Sequence, residues 1–361
     1  ENALFESLKR SVELRLISDR PIALLLSGGI DSSLILSILH YLGYDKKVHV
    51  FMGYTGRSDD YLYAKKCVQK LNIKADTIVS DYGKNAFDRF LNLCENQEKP
   101  FPFNGNAIAM TQMFEEVSLA GYAVVLDGSG GDEIFGGYWE RYSPSALIDA
   151  KSNIDNKWIK SILQNNKEFL LKSINNKFDN YKKTFSPFYK TKINFSNNQP
   201  LDPLVSSNLS FNDSLIKDVG PGGRLGDWVW QNDRNSMMYS VESRSPFLDI
   251  GLHKFIFSGY KNKFHKNWNK YELRKVFDQF TPLPTQWRSE KQGFRWDGKH
   301  FFYNNKNEII ELISQSEVLK EYAYPKIFSM SSKGINRLLK SSVGKRFLSI
   351  AGIEYTMNKQ G

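Results

Sequence analysis

Apolar positions in the first third of the chain alternate between two textures. Over residues 3–16, Leu4, Phe5, Leu8, Val12 and Leu16 recur at the spacing of one helical face. Pro21 breaks that pattern. Ile22-Ala23-Leu24-Leu25-Leu26 is wholly apolar and stops at Ser27-Gly28-Gly29, as a strand buried on both faces stops at a tight turn. A helical pattern over 32–42 follows, then a strand over 48–52, a helix over 61–71 and a strand over 75–79. A further helix over 107–119 leads to a fourth strand, 123–126, which runs into a second glycine cluster. Strands alternating with helices predict an α/β fold, a doubly wound parallel sheet covered on both faces.

Beyond residue 142 the texture changes. Residues 152–195 are rich in Asn and Lys, with helical spacing at Trp158, Ile159, Ile162, Phe169, Leu170 and Ile174. Residues 196–202 read as a surface loop. Apolar and aromatic density returns from 225, and 301–347 reads as helices with a basic face that includes Lys333, Arg337, Lys340, Lys345 and Arg346. The expected division is a nucleotide-binding core over 1–142, a helical insertion and loop over 143–224, a site-completing segment over 225–300 and a basic helical tail over 301–361.

With 361 residues, 41% hydrophobic and 24% charged, the chain is too long for one small module and too apolar to be a disordered tail. No apolar run approaches the roughly 18 residues that span a bilayer, and no leader pattern is visible. Two cysteines, Cys67 and Cys94, cannot build a disulfide framework or a four-thiolate metal site, which points to a reducing cytoplasm. Cys67 sits in a helical pattern and reads as a small buried hydrophobe. The net charge of +10 is spread along the chain, with local clusters at Lys182-Lys183 and at Lys261, Lys263 and Lys266. It reads as solvated surface rather than as a nucleic-acid face.

The chemistry concentrates in the two glycine clusters. Ser27-Gly28-Gly29-Ile30-Asp31-Ser32 lies between a strand and a helix, where backbone N–H groups and a helix N-terminus receive an anion. Asp31 would repel a bare phosphate, so it makes sense as a ligand of Mg2+ held jointly with phosphate oxygens. The plainer reading is a helix cap. The ending is not the Gly-Lys-Ser/Thr of a Walker A loop. Asp127-Gly128-Ser129-Gly130-Gly131-Asp132-Glu133 closes the fourth strand, and ligands of open α/β sheets bind outside strand carboxyl ends. Asp132 is then the natural second metal ligand, against a plainer reading as a turn aspartate. Glu133 reads as a capping or salt-bridge residue.

The first motif resembles the pyrophosphate-binding loop of the ATP pyrophosphatase superfamily, whose fold is adenine nucleotide α-hydrolase-like. With the second motif it is similar to the synthetase domain of glutamine-dependent asparagine synthetases. Asp233-Arg234-Asn235-Ser236-Met237, the stretch Glu242-Ser243-Arg244-Ser245-Pro246-Phe247-Leu248-Asp249, and Lys291-Gln292-Gly293-Phe294 resemble further elements of that family, in collinear order. The resemblance implies that ATP activates a carboxylate as an acyl-adenylate and that ammonia then displaces AMP. It implies that Ser27, Gly28, Gly29 and Ser32 cradle pyrophosphate, and that Asp31 and Asp132 hold Mg2+. Leu25, Met52, Gly53, Asp127 and Gly128 would meet the nucleotide. Lys291 would be the catalytic cation. Glu242 and Arg244 are either a structural ion pair or a substrate contact; Lys270 and Arg274 either reach phosphates or form a basic helix face.

Two departures stand out. The family usually has Ser or Thr at Asp127 and a carboxylate at Ser129, so aspartate as the acceptor is open, and a cell-surface glycan carboxylate is an alternative. Full-length members also begin with a glutaminase domain bearing a nucleophilic cysteine, which neither Cys67 nor Cys94 can be. The chain begins at Glu1, which points to an upstream glutaminase removed from this piece. Rival readings are an intramolecular amide former of the β-lactam synthetase or peptide cyclase type, a tRNA-modifying pyrophosphatase, and a nucleotide-binding scaffold without catalysis. No membrane partner is expected.

Overall fold

The computed structural model describes residues 2–56, 59–80, 85–97, 106–165, 209–288, 298–322 and 342–360. Five parallel strands form one sheet in the order β3-β2-β1-β4-β5. They are β1 (Ile22–Leu25), β2 (His49–Tyr54), β3 (Ala75–Val79), β4 (Val124–Leu126) and β5 (Glu242–Arg244). Helix α1 (Asn2–Arg15) precedes the sheet, and α2 (Ile30–Tyr41) and α3 (Asp60–Leu71) make the first two crossovers. Helices α4 (Ala86–Gln97) and α5 (Asn106–Leu119) lie between β3 and β4.

The alternation of strand side chains explains how both faces are filled. Ile22, Leu24 and Leu26 join Leu34, Ile35 and Ile38 of α2 and Val68 of α3 in the main core. Ala23, Leu25, Phe51 and Val125 face the other way, onto Met113, Phe114 and Val117 of α5. The sheet is therefore doubly wound, as the alternating pattern predicts. The winding reverses between β1 and β4, where ligands of such sheets bind.

β5 and α4 go beyond the sequence reading. β5 consists of Glu242, Ser243 and Arg244, with no apolar run to signal a strand; pairing with β4 creates it. α4 buries Phe90, Leu93 and Cys94 in a second core with Phe301, Ile309, Leu312, Phe347 and Ala351. The C-terminal helices that supply these side chains include Lys306–Gln315 and Ser342–Gln360. The C-terminal part is thus helical and packs on α4. Cys67 is fully buried in the main core. Phe169, Leu170 and Ile174, the loop 196–202, and Lys333, Arg337 and Lys340 lie outside the described residues. Among the described residues no helix is long and apolar enough to cross a membrane.

Candidate active site

The loop after β1 folds back on itself through its serines. The hydroxyls of Ser27 and Ser32 lie 3.0 Å apart, and the Ser27 amide donates to Ser32 Oγ at 3.2 Å. Gly28 has φ +78°, and its backbone presses against Asp60 of α3 where a side chain would collide. Arg288 fastens this corner from the C-terminal side. Its guanidinium lies 2.6 Å from Asp60 Oδ1, donates to the Gly28 carbonyl and stacks over the Tyr63 ring.

Asp31 and Asp132 lie in the first turns of the helices that follow the adjacent strands β1 and β4, and they converge on one ammonium. Lys270 Nζ donates to both oxygens of Asp31, at 2.7 and 2.5 Å, and lies 2.6 Å from Asp132 Oδ1. Glycines make the convergence possible. A Cβ on Gly131 would stand 2.6 Å from Asp31 Oδ1, and one on Gly128 would stand 2.9 Å from the Asp31 Cβ. Gly137 lies against both Asp132 and Lys270, where a side chain would collide.

A cavity of about 440 Å3 opens over these acids. Leu25, Ser27, Asp31, Ser32, Gly53, Asp127, Gly128 and Asp132 line it. Gly28 and Gly29 form the turn at its edge. Met52 is elsewhere: it is one residue out of phase with Gly53, so its side chain enters the main core. Lys291 lies outside the described residues.

Asp127 lines the cavity and is also a hub of hydrogen bonds. Its Oδ1 accepts from the Ser129 amide and Ser245 Oγ, both at 2.7 Å; its Oδ2 accepts from Asn232 at 2.8 Å and from the Ser243 hydroxyl. Four donors from the β4 turn, helix Arg224–Met237, β5 and the residue that follows it thus meet on one carboxylate, which ties residues 243–245 to the cavity floor. Beyond it, a second hollow of about 390 Å3 is lined by Arg15, Ser129, Asn232, Glu242 and Arg244, among others. There Arg244 pairs with Glu242 and donates to the carbonyls of Arg15 and Ile17. The two side chains are paired, and both also line the hollow.

Arg274 is buried and reaches no open face. It donates to the carbonyls of Asn269, Gln286 and Arg288, bracing the segment that leads towards Lys291. Burial pulls its pKa down to about 10. Lys270 and Arg274 are both inside, so they form no solvated basic helix face. Glu133, discounted as a cap, is a buried carboxyl on the cavity wall that accepts from Tyr138 Oη at 3.1 Å. Burial, and then the charge of Asp132, push its pKa up to about 7. Arg224 stacks over the Tyr138 ring at 4.6 Å and the Trp228 ring at 5.7 Å, beside the cavity. A buried acid directly after Asp132 was the available signal for Glu133.

The donor set suits Mg2+. That ion takes hard oxygens, keeps several waters and uses one or two carboxylates with substrate phosphates. Asp31 and Asp132 supply two carboxylates at one point, and among the described residues no group of three His, Cys, Asp or Glu side chains forms a self-sufficient metal cage.

An open parallel sheet with glycine-rich turns and paired acids at its switch point defines a nucleotide-binding class of α/β domain. The chain belongs to the asparagine synthase family, whose model matches residues 3–340. It is 26% identical over 342 residues to asparagine synthetase [glutamine-hydrolyzing] 2 of Bacillus subtilis, covering 86% of this chain and 41% of that protein. A putative asparagine synthetase [glutamine-hydrolyzing] 2 of Methanocaldococcus jannaschii is 30% identical over 138 residues, or 36% of this chain and 24% of that protein. The chain spans less than half the length of these curated relatives. Among solved structures, the U34-tRNA thiolase NcsA of Methanococcus maripaludis aligns over 99% of this chain and 81% of its own, at TM-score 0.31 and 12% identity, a likeness too slight to bear on function.

Proposed function

We propose that this chain is an ATP-dependent carbon–nitrogen ligase that activates a carboxylate as an acyl-adenylate for attack by ammonia. The observation that carries the reading is the convergence of Asp31 and Asp132 on one buried cation beside the Ser27–Ser32 loop. In this reading Ser27, Gly28, Gly29 and Ser32 receive the β- and γ-phosphates through backbone amides and hydroxyls. Leu25 and Gly53 contact the nucleoside, with Met52 beneath them and Gly128 allowing close approach. Asp31 and Asp132 would hold Mg2+, which would supply positive charge to offset that of the triphosphate.

The acceptor carboxylate attacks the α-phosphorus, the bond to the bridging oxygen breaks, and pyrophosphate leaves. Ammonia then attacks the acyl carbon and AMP leaves, giving an amide. Lys291 would stabilise the charge that develops at the α-phosphate, a role worth ~3–4 kcal/mol for one preorganised donor. The nitrogen source in this reading is glutamine hydrolysed by a separate domain, and two buried thiols fit a cytoplasmic setting.

Ser129 and the fully engaged Asp127 favour an acceptor other than aspartate, including a carboxylate on a cell-surface glycan. A serine is no base at neutral pH, and an acid that already accepts four hydrogen bonds has little capacity to bind a substrate ammonium. Phosphorus NMR of ATP turnover with ammonium and a panel of acids tests the reaction class. The reading expects AMP and pyrophosphate in step with an added acid; ADP and orthophosphate would overturn it. The product mass then separates amidation, which replaces a hydroxyl by an amino group, from cyclisation, which loses water.

A further inference from the structure

We propose that Lys270 is an internal counter-ion: its ammonium holds the metal position between Asp31 and Asp132 until a divalent ion displaces it. The proposal rests on the reading of these two acids as metal ligands. Four observations carry it. The ammonium contacts both carboxylates at 2.5–2.7 Å, at the point where a shared cation must sit. Lys270 is only 1% exposed, so this charge is committed to the acids rather than shared with solvent. Its backbone takes the left-handed conformation, φ +50°, which is costly for a residue with a Cβ and is retained where the surroundings demand it. Finally, Gly137 leaves room for the lysine stem, and Asn269, next in the chain, donates to the Gly137 carbonyl at 2.5 Å.

The physical reason for such a device is charge balance. Two buried carboxylates a few ångströms apart repel, and an ammonium placed between them offsets that repulsion and holds both oriented towards one point. Ammonium and metal cannot occupy the same point, so Mg2+ binding becomes an exchange in which the flexible lysine stem swings its charge away. Bare Mg2+ must bear the cost of that displacement. Mg2+ arriving with a triphosphate does not bear it alone, because the incoming anion receives the released ammonium. The site therefore discriminates against the metal without its nucleotide.

The test is calorimetric titration of MgCl2 into the full chain without nucleotide, for the wild type, Lys270→Met and Asp31→Asn. Removing the resident cation frees the metal position, and a competent state that is no longer taxed binds more tightly in proportion. Lys270→Met is expected to bind Mg2+ about tenfold or more tightly than the wild type. It should also melt lower than the wild type in EDTA, with the gap closing as Mg2+ is added. Affinity equal to or weaker than that of the wild type would overturn the proposal. If Lys270→Met is unfolded in EDTA, refolding on addition of Mg2+, read by circular dichroism, supports it, and failure to refold overturns it. Asp31→Asn separates the two levels of inference. Unchanged Mg2+ binding in that variant sinks the metal-ligand reading itself, whereas unchanged binding in Lys270→Met alone sinks only the counter-ion.

Discussion

Asp127 shows how one residue can be chemically conspicuous and yet structural. With its oxygens occupied by Ser129, Asn232, Ser243 and Ser245, it is the knot that joins the β4 turn to β5. Asp127→Ala would remove four hydrogen bonds that half-buried donors make to a charged group, each worth about 1.5–3 kcal/mol. The expected loss in urea denaturation is about 3 kcal/mol or more. Glu133 behaves differently. Its folded pKa of about 7 lies above the ordinary 4.5, so the native protein keeps a proton that the unfolded chain has released. Its contribution to stability is whole below pH 4.5 and is lost as pH rises through 7, a change of about 3 kcal/mol. Without metal or nucleotide, Glu133→Gln should flatten that stretch of the stability–pH curve; an unchanged slope would show that another group titrates there.

At the scale of elements, the central strands were readable because a parallel strand buried on both faces must be apolar throughout, as Ile22–Leu25 and Val124–Leu126 are. β5 was not readable, since its polar residues are chosen for the Asp127 knot and the Glu242–Arg244 pair rather than for burial. The same alternation turns the Met52 side chain into the main core while Gly53 lines the cavity. α4 carries a legible helical pattern at Phe87, Phe90, Leu91 and Cys94, but its partners do not show in the sequence, because they lie on helices more than 200 residues later, such as Ser342–Gln360. That contact is tight. A Cβ on Gly352 would stand 2.5 Å from Cys94 Sγ and 2.9 Å from Phe90. Gly352→Leu should therefore cost about 1–3 kcal/mol by overpacking, visible as a lower melting temperature. Burial also pushes both thiols above the ordinary range. In the native protein Cys67 and Cys94 should react with a thiol reagent far more slowly than in denaturant.

Across the whole molecule, the sheet order turns two remote motifs into one site. Asp31 and Lys270 are 239 positions apart, yet the reversal of winding between β1 and β4 leaves a crevice into which both reach with Asp132. The two acids stood out as candidates because each follows a glycine-rich turn after a buried apolar strand, a context that a helix cap shares. Lys270 was legible only as one of two alternatives, a phosphate contact or a solvated face, because nothing in its neighbours distinguishes a buried ammonium from a solvated one; only the folded chain brings it to the acids. The central claim is that these two carboxylates present a metal-bound triphosphate to an acid. The most direct measurement is exchange of labelled pyrophosphate into ATP with Mg2+ across a broad panel of carboxylates. The account predicts exchange that requires both the acid and the metal and that falls at least about a hundredfold in Asp31→Asn or Asp132→Asn, in line with loss of a preorganised electrostatic group. Exchange that stays at background with every acid, or that persists undiminished in both variants, would contradict it.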